Sequence, residues 1–417
     1  MRALTDPPYA RRAHPDAEAS IDPNRPGFGD YLGQFDSYRV VACGAVVLQH
    51  SFLWTIPAGI VVPWAFVMLL HFSRTAFFFL SALLLTYAQI TRPRSTREFW
   101  RRRYVQLGVP YLAWTFVYWV YTLLSVHGST SRAGSLFWHD LVFGYYQLYF
   151  AVVLLQVYLV WPLLIRVLRA SRHQGIIMFA SLTFALALAA DLHWPGSFGV
   201  VGDATRRLGS IWPWERDPIT YQEQFVAGAL VALHLDQVRG FVQRWGRTNI
   251  IAAAAMGVVA TLWYLVAVWT GSPTGRASDL YQPIAFLWFT AAVAGLECAT
   301  WMWYQRAQRD ERRVRAPAFS AVYLGSLTGG IFLCHVLFIS LVRWALGAIW
   351  IGPHIGWAGR VAATFAATLA LSAVFTSLVL RTRLRWVLTG PVRSEQRARL
   401  HAFAGARLTC PPGVNAG

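Results

Sequence analysis

Arg39 and His50 stand eleven positions apart inside the first strongly apolar segment of the chain, Phe35 to Thr55. An ionisable residue within a membrane helix is costly and marks function by default. At about 100° per residue, eleven steps return to within ~20° of the same face, and at ~1.5 Å rise they span ~16 Å. One stripe therefore carries a guanidinium near one membrane surface and an imidazole about half a bilayer deeper. The chemistry this offers is a charged ligand held at the rim and proton transfer further in. The structural alternative is a snorkelling arginine and a histidine bridging to a neighbouring helix.

Further candidates lie at the same depth. His71 and Arg74 are three residues apart in the second apolar segment, hence neighbours on one helix face. Counted from the outer side they lie ~13 Å and ~18 Å deep, His50 lies ~20 Å up from the inner side, and His335 falls within a few ångströms of that layer. Glu223, near the outer end of another segment, can partner Arg74 or Arg343, contact a ligand, or face water. Asp36 is placed to cap the first helix and pair with Arg39. Between Arg39 and His50, Cys43, Val46 and Val47 leave a narrow apolar lane that suits a thioester arm or a neighbouring helix. Gln147 and Gln156 read as helix–helix glue, and Arg343 and Arg360 as snorkelling residues. The run Arg101, Arg102, Arg103 serves either topology and lipid headgroups or the phosphates of a nucleotide-containing donor.

These residues need membrane helices to position them. The 417 residues are 56% hydrophobic and only 13% charged, about half the charge of a soluble chain. We read an all-α polytopic membrane protein of about ten spans, near 37–56, 62–89, 105–126, 143–167, 175–192, 220–237, 249–270, 281–303, 319–347 and 357–380. Residues 1–34 read as a disordered cytoplasmic tail, 35–385 as the membrane domain and 386–417 as a cytoplasmic C-terminal tail. All 37 basic residues behind the net charge of +18 are arginine, and they lie mostly in alternate loops. That is the positive-inside pattern, with both termini cytoplasmic, and not a nucleic-acid surface. The four cysteines have neither paired nor metal-ligand spacing. No cluster has the makings of a metal site, and there is no P-loop, HExxH or Rossmann fingerprint. The long outer loop, 193–219, holds Trp194, Trp212 and Trp214. They read as interface anchors or as part of a binding element where they stack on sugar rings.

The blocks Phe35-Asp36-Ser37-Tyr38-Arg39 through His50, then Phe77-Phe78-Phe79-Leu80-Ser81-Ala82, resemble the opening motifs of the integral-membrane acyltransferase-3 superfamily. Ala82 replaces the usual glycine. The stretch Phe99 to Gln106 before Pro110-Tyr111 is similar to the family's cytoplasmic arginine pair, with Arg103 matched and Gln106 in place of the second arginine. Gln147-Leu148-Tyr149-Phe150 through Tyr158 to Pro162, and Gly330 to His335, resemble two later blocks in family order. The resemblance implies an O-acyltransferase of sugars and glycolipids. Its donor is cytoplasmic acyl-CoA, with acetyl the common case. Its acceptor is a hydroxyl of an extracytoplasmic or lipid-linked sugar, glycolipid or cell-envelope polysaccharide, in the plasma membrane and with no bound cofactor. His50 matches the family's essential histidine, as general base or transient acyl carrier, and Arg39 its arginine. Arg101, Arg102 and Arg103 would hold the donor, and Arg74, His71, His335 and Glu223 the acceptor or oxyanion.

Two rivals remain at this level: a transporter or flippase for a lipid-linked glycan or anionic solute, and a non-catalytic subunit of an envelope assembly. The topology is testable directly. Single cysteines placed in the 193–219 loop and at the C-terminus are expected to react with impermeant thiol reagents from opposite sides. Same-side labelling means that the span count is wrong by one.

Overall fold

The computed structural model describes residues 34–57, 59–125, 133–195, 198–309, 311–348 and 356–390. The N-terminal tail, most of the C-terminal tail and Cys410 lie outside these residues. The described residues contain helices and no strand. In chain order they are α1 (Gln34–Thr55), α2 (Val61–Leu70), α3 (Phe72–Thr91), α4 (Thr96–Ser125), α5 (Ala133–Phe143), α6 (Tyr149–Ala170) and α7 (Gln174–His193). Then come α8 (Val200–Ile211), α9 (Gln222–Leu233), α10 (Leu235–Trp269), α11 (Thr274–Ala277), α12 (Pro283–Arg309), α13 (Glu311–Ala348), α14 (Trp357–Leu380) and α15 (Arg385–Leu388).

Among the described residues, eight helical segments are long and apolar enough to cross a membrane. The ten expected spans correspond to these eight together with α1 and α9. α1 has 22 residues, but Gln34, Asp36, Arg39, Gln49 and His50 lower its apolarity. α9 has 12 residues, about 18 Å of helix against a hydrocarbon core of ~30 Å. The chain breaks at His234, and α10 then runs for 35 residues. Arg239, Arg244 and Arg247, expected in a loop, therefore lie in the first turns of a helix longer than the hydrocarbon core. The second expected span is likewise two helices, α2 and α3, meeting at His71.

α1 packs against α13, α14, α3, α2 and α12. Its centre is sealed by Cys43 and Val47 against Leu327 and Ile331 of α13. On the Cys43 and Val47 side the apolar lane below His50 is thus filled by a neighbouring helix, while Val46 lines a cavity. α3 and α9 also pack closely. A Cβ added to Gly228 would lie 2.3 Å from the Phe79 carbonyl oxygen and 2.9 Å from the Ala82 Cβ. The Phe77–Ala82 block is therefore where two backbones approach, as small residues permit in membranes. Gly228→Ala is expected to destabilise the protein by ~1–3 kcal/mol, because backbone cannot yield as a side-chain tip does. Gly240→Ala, which meets nothing within 4 Å, is expected to be neutral or stabilising. Thermal unfolding in detergent checks the pair; equal melting temperatures would refute the close approach.

Candidate functional site

Two histidines from helices far apart in sequence meet between α1 and α13. His50 Nδ1 and His335 Nε2 are 2.7 Å apart, with ring planes within 5° of parallel. His335 is fully buried. Its Nδ1 faces two backbone carbonyl oxygens of its own helix, Phe332 at 2.8 Å and Ile331 at 3.2 Å. Carbonyls only accept, so His335 Nδ1 carries the hydrogen and the neutral ring leaves Nε2 as an acceptor. His50 Nδ1–H therefore donates to His335 Nε2, and His50 Nε2 keeps a free lone pair. The tautomers follow from the hydrogen-bond network alone. α13 is fixed beside this pair by Tyr118 and Gln147, which donate to the Leu333 carbonyl at 2.8 Å and 3.2 Å.

His50 lines a cavity of about 170 Å³, and His335 stands behind it. The cavity also carries Gln49, His71, Arg74, Tyr149 and Glu215 on its polar side, and Phe77, Phe150 and Phe332 on its apolar side. His71, at the α2–α3 junction, donates Nδ1–H to the Val67 carbonyl at 2.6 Å, so its Nε2 is also an acceptor. The Arg74 guanidinium lies over the Tyr221 ring at 5.0 Å, and its Nε has no hydrogen-bond partner. Tyr146 packs its ring 5.1 Å from His50. It is the non-glycine residue with positive φ, 30°, among the described residues. Backbone strain of this kind, about 1–3 kcal/mol, gathers at working sites.

The structure thus brings His50, His335, His71 and Arg74 together. It does not bring the other candidates to this cavity. Arg39 is bonded to Asp36 at 3.0 Å near the start of α1. Arg102 pairs with Glu98 at 3.0 Å, Arg103 lies over the Phe99 ring at 6.0 Å, and Arg101 is exposed. Successive residues on a helix point ~100° apart, so the three arginines do not form one clamp. Glu223 is fully buried, and neither carboxylate oxygen has a hydrogen-bond partner. It makes no ion pair with Arg74 or Arg343 and does not face water; Arg343 lies instead over Trp54 at 5.6 Å. Gln156 holds the outer loop through the Arg216 carbonyl, at 2.7 Å.

Glu215 and Tyr146 were not singled out from the sequence, and Tyr149 entered only as part of the Gln147–Phe150 block. The available signals were Gly144 ahead of a Tyr-Tyr-Gln run, and a carboxylate in the Trp-Pro-Trp-Glu-Arg stretch of the outer loop. Of that loop's tryptophans, Trp194 is exposed. Trp212 packs on Phe143 at 5.2 Å, and Trp214 donates to the Thr205 carbonyl at 3.3 Å.

A family profile described as an acyltransferase domain matches residues 32–377, most of the chain and every helix that builds the cavity. The chain belongs to this acyltransferase-3 family and is a multi-pass membrane acyltransferase. No curated protein and no solved structure matches it.

The buried hydrogen bond between the histidines has a measurable role. A bond that stabilises a developing charge contributes ~1.5–3 kcal/mol, about 10- to 100-fold in rate. His335→Leu is expected to lower kcat by that factor. His335→Gln, which offers an amide oxygen to His50 Nδ1–H, is expected to recover part of it. Equal loss in both variants would show that His335 acts by packing alone.

Proposed function

We propose that the protein transfers an acyl group, acetyl in the simplest case, from acyl-CoA to a hydroxyl of a sugar. The sugar belongs to an extracytoplasmic or lipid-linked glycan, a glycolipid or a cell-envelope polysaccharide, and the enzyme works in the plasma membrane. The observation that carries the reading is His50, with one ring nitrogen bonded to His335 and the other left for a cavity that also holds Arg74.

In this mechanism His50 Nε2 takes the proton of the acceptor hydroxyl as its oxygen attacks the thioester carbonyl carbon. The positive charge that develops on His50 is stabilised by the lone pair of His335 Nε2, as a third group orients the base in other acyl-transfer enzymes. The carbonyl oxygen becomes an oxyanion, and Arg74 is the cation in the cavity that stabilises it. The tetrahedral adduct collapses with cleavage of the carbon–sulfur bond. The His50 proton passes to the departing sulfur, so the products are the O-acyl sugar and free CoA thiol. The apolar wall of Phe77, Phe150 and Phe332 keeps water from competing with the acceptor. Arg101, Arg102 and Arg103 are assigned to the donor's phosphates as separate contacts, and Arg39 to its pantetheine arm. Arg101 and Arg102 are exposed on α4, so none of the other described residues covers them.

The test is acyl transfer by purified protein in nanodiscs, with acetyl-CoA and a panel of sugars followed by mass spectrometry. His50→Ala is expected to insert and fold normally and to lose ~10²–10⁴-fold in kcat. His50→Gln keeps size and polarity but takes up no proton near neutral pH, and is expected to be equally inactive. Near wild-type activity in His50→Gln would reduce His50 to interhelical glue.

A further inference from the structure

The proposed chemistry leaves one charged residue of the cavity without a role. Glu215 reaches it from the outer loop, on a 3-10 turn spanning Trp214–Arg216. The backbone of this turn is held on both sides. Thr220 donates to the Trp214 carbonyl at 2.7 Å, Tyr221 to the Glu215 carbonyl at 3.0 Å, and Gln156 to the Arg216 carbonyl at 2.7 Å. Arg216 in turn donates Nε–H to the Phe143 carbonyl at 2.7 Å, and Asp217 accepts the Ile219 N–H at 2.9 Å. A surface loop clamped this thoroughly presents one side chain in a fixed place.

Glu215 and Arg74 line the same cavity as His50, and none of the ion pairs among the described residues joins them. A carboxylate and a guanidinium in one confined space, at too great a distance to bridge, favour an occupant that both accepts and donates hydrogen bonds. Arg74 is donor-only and an ionised Glu215 is acceptor-only. A hydroxyl satisfies both, and neighbouring hydroxyls on a sugar ring do so with the bidentate geometry that carboxylate oxygens accept. An anionic occupant would meet Arg74 favourably and Glu215 unfavourably.

We propose that Glu215 is the acceptor-selecting residue, and that the acceptor is an uncharged sugar whose reacting hydroxyl has a free hydroxyl on the adjacent carbon. The proposal rests on the acyl-transfer reading above. In it Glu215 accepts the neighbouring hydroxyl, Arg74 donates to the ring substituents, and the reacting hydroxyl points to His50 Nε2.

The experiment compares wild type with Glu215→Gln in nanodiscs, using acetyl-CoA and the methyl glycosides of glucose, galactose and rhamnose. Each sugar is tested beside its monodeoxy forms, and the glucose and galactose glycosides also beside their uronates. Wild type is expected to favour the intact diol over the matching monodeoxy sugar by tenfold or more in kcat/KM. Glu215→Gln is expected to shrink that ratio toward one and to raise the relative use of uronates. Ratios within one variant do not depend on how much of it folds. If wild type acylates these sugars and Glu215→Gln keeps the wild-type ratios, the selecting role is overturned and acyl transfer stands. If wild type acylates none of them while acyl transfer is seen with the wider sugar panel, the uncharged diol acceptor is overturned and acyl transfer stands.

Discussion

The hydrogen bond between His50 and His335 organises the rest of the site. It joins α1 to α13 inside the bundle, at 2.7 Å and out of contact with water on the His335 side. Its direction is set two atoms further back, by backbone carbonyls that hold a hydrogen on His335 Nδ1. The consequence appears at the far end of the relay, where His50 presents a basic nitrogen to a cavity in a medium that would ordinarily expel charge. Low dielectric makes such a chain of hydrogen bonds stronger than its members in water. It also makes each member sensitive to loss of the next.

The helices around this bond are shaped to hold it. α1 carries Asp36, Arg39, Gln49 and His50 and tolerates them because other helices surround it. Its lower half is closed against α13 by Cys43, Val47, Leu327 and Ile331. Its upper half opens on the cavity. α3 and α9 approach to backbone contact at Gly228, and Arg74 of α3 lies over Tyr221, at the start of α9. Close packing on one side and a clamped loop on the other leave a small space lined by two imidazoles, one cation and one carboxylate. That division of labour suits the transfer of an acyl group to a polyhydroxylated acceptor.

Much of this was legible in the sequence, and the reasons are physical. Apolar segments of spanning length, and arginines concentrated between alternate segments, follow directly from the cost of polar groups in lipid. The shared depth of His50, His71, Arg74 and His335 follows from the constant rise of a helix, which converts sequence position into height. What height cannot supply is azimuth and tertiary contact. The apolar lane between Arg39 and His50 was as compatible with a neighbouring helix as with a thioester arm; α13 fills its Cys43 and Val47 side, and Val46 faces the cavity. Glu223 sits at a plausible height but is buried away from the cavity. The Arg101–Arg103 run looks like a clamp in one dimension and fans out around α4 in three. Glu215 was missed for the converse reason: nothing local marks a loop carboxylate as lining a cavity until Gln156, Thr220 and Tyr221 are seen holding its turn.

The central claim is that His50 carries its hydrogen on Nδ1 and keeps Nε2 free as a base. Solid-state ¹⁵N NMR of histidine-labelled protein in lipid at neutral pH reads this directly, with His50→Gln identifying the His50 signals by their loss. The account predicts a neutral His50 ring with a protonated Nδ1 hydrogen-bonded to a second imidazole, and an unprotonated Nε2. A His50 ring protonated on Nε2, or one with no coupling to His335, would contradict it.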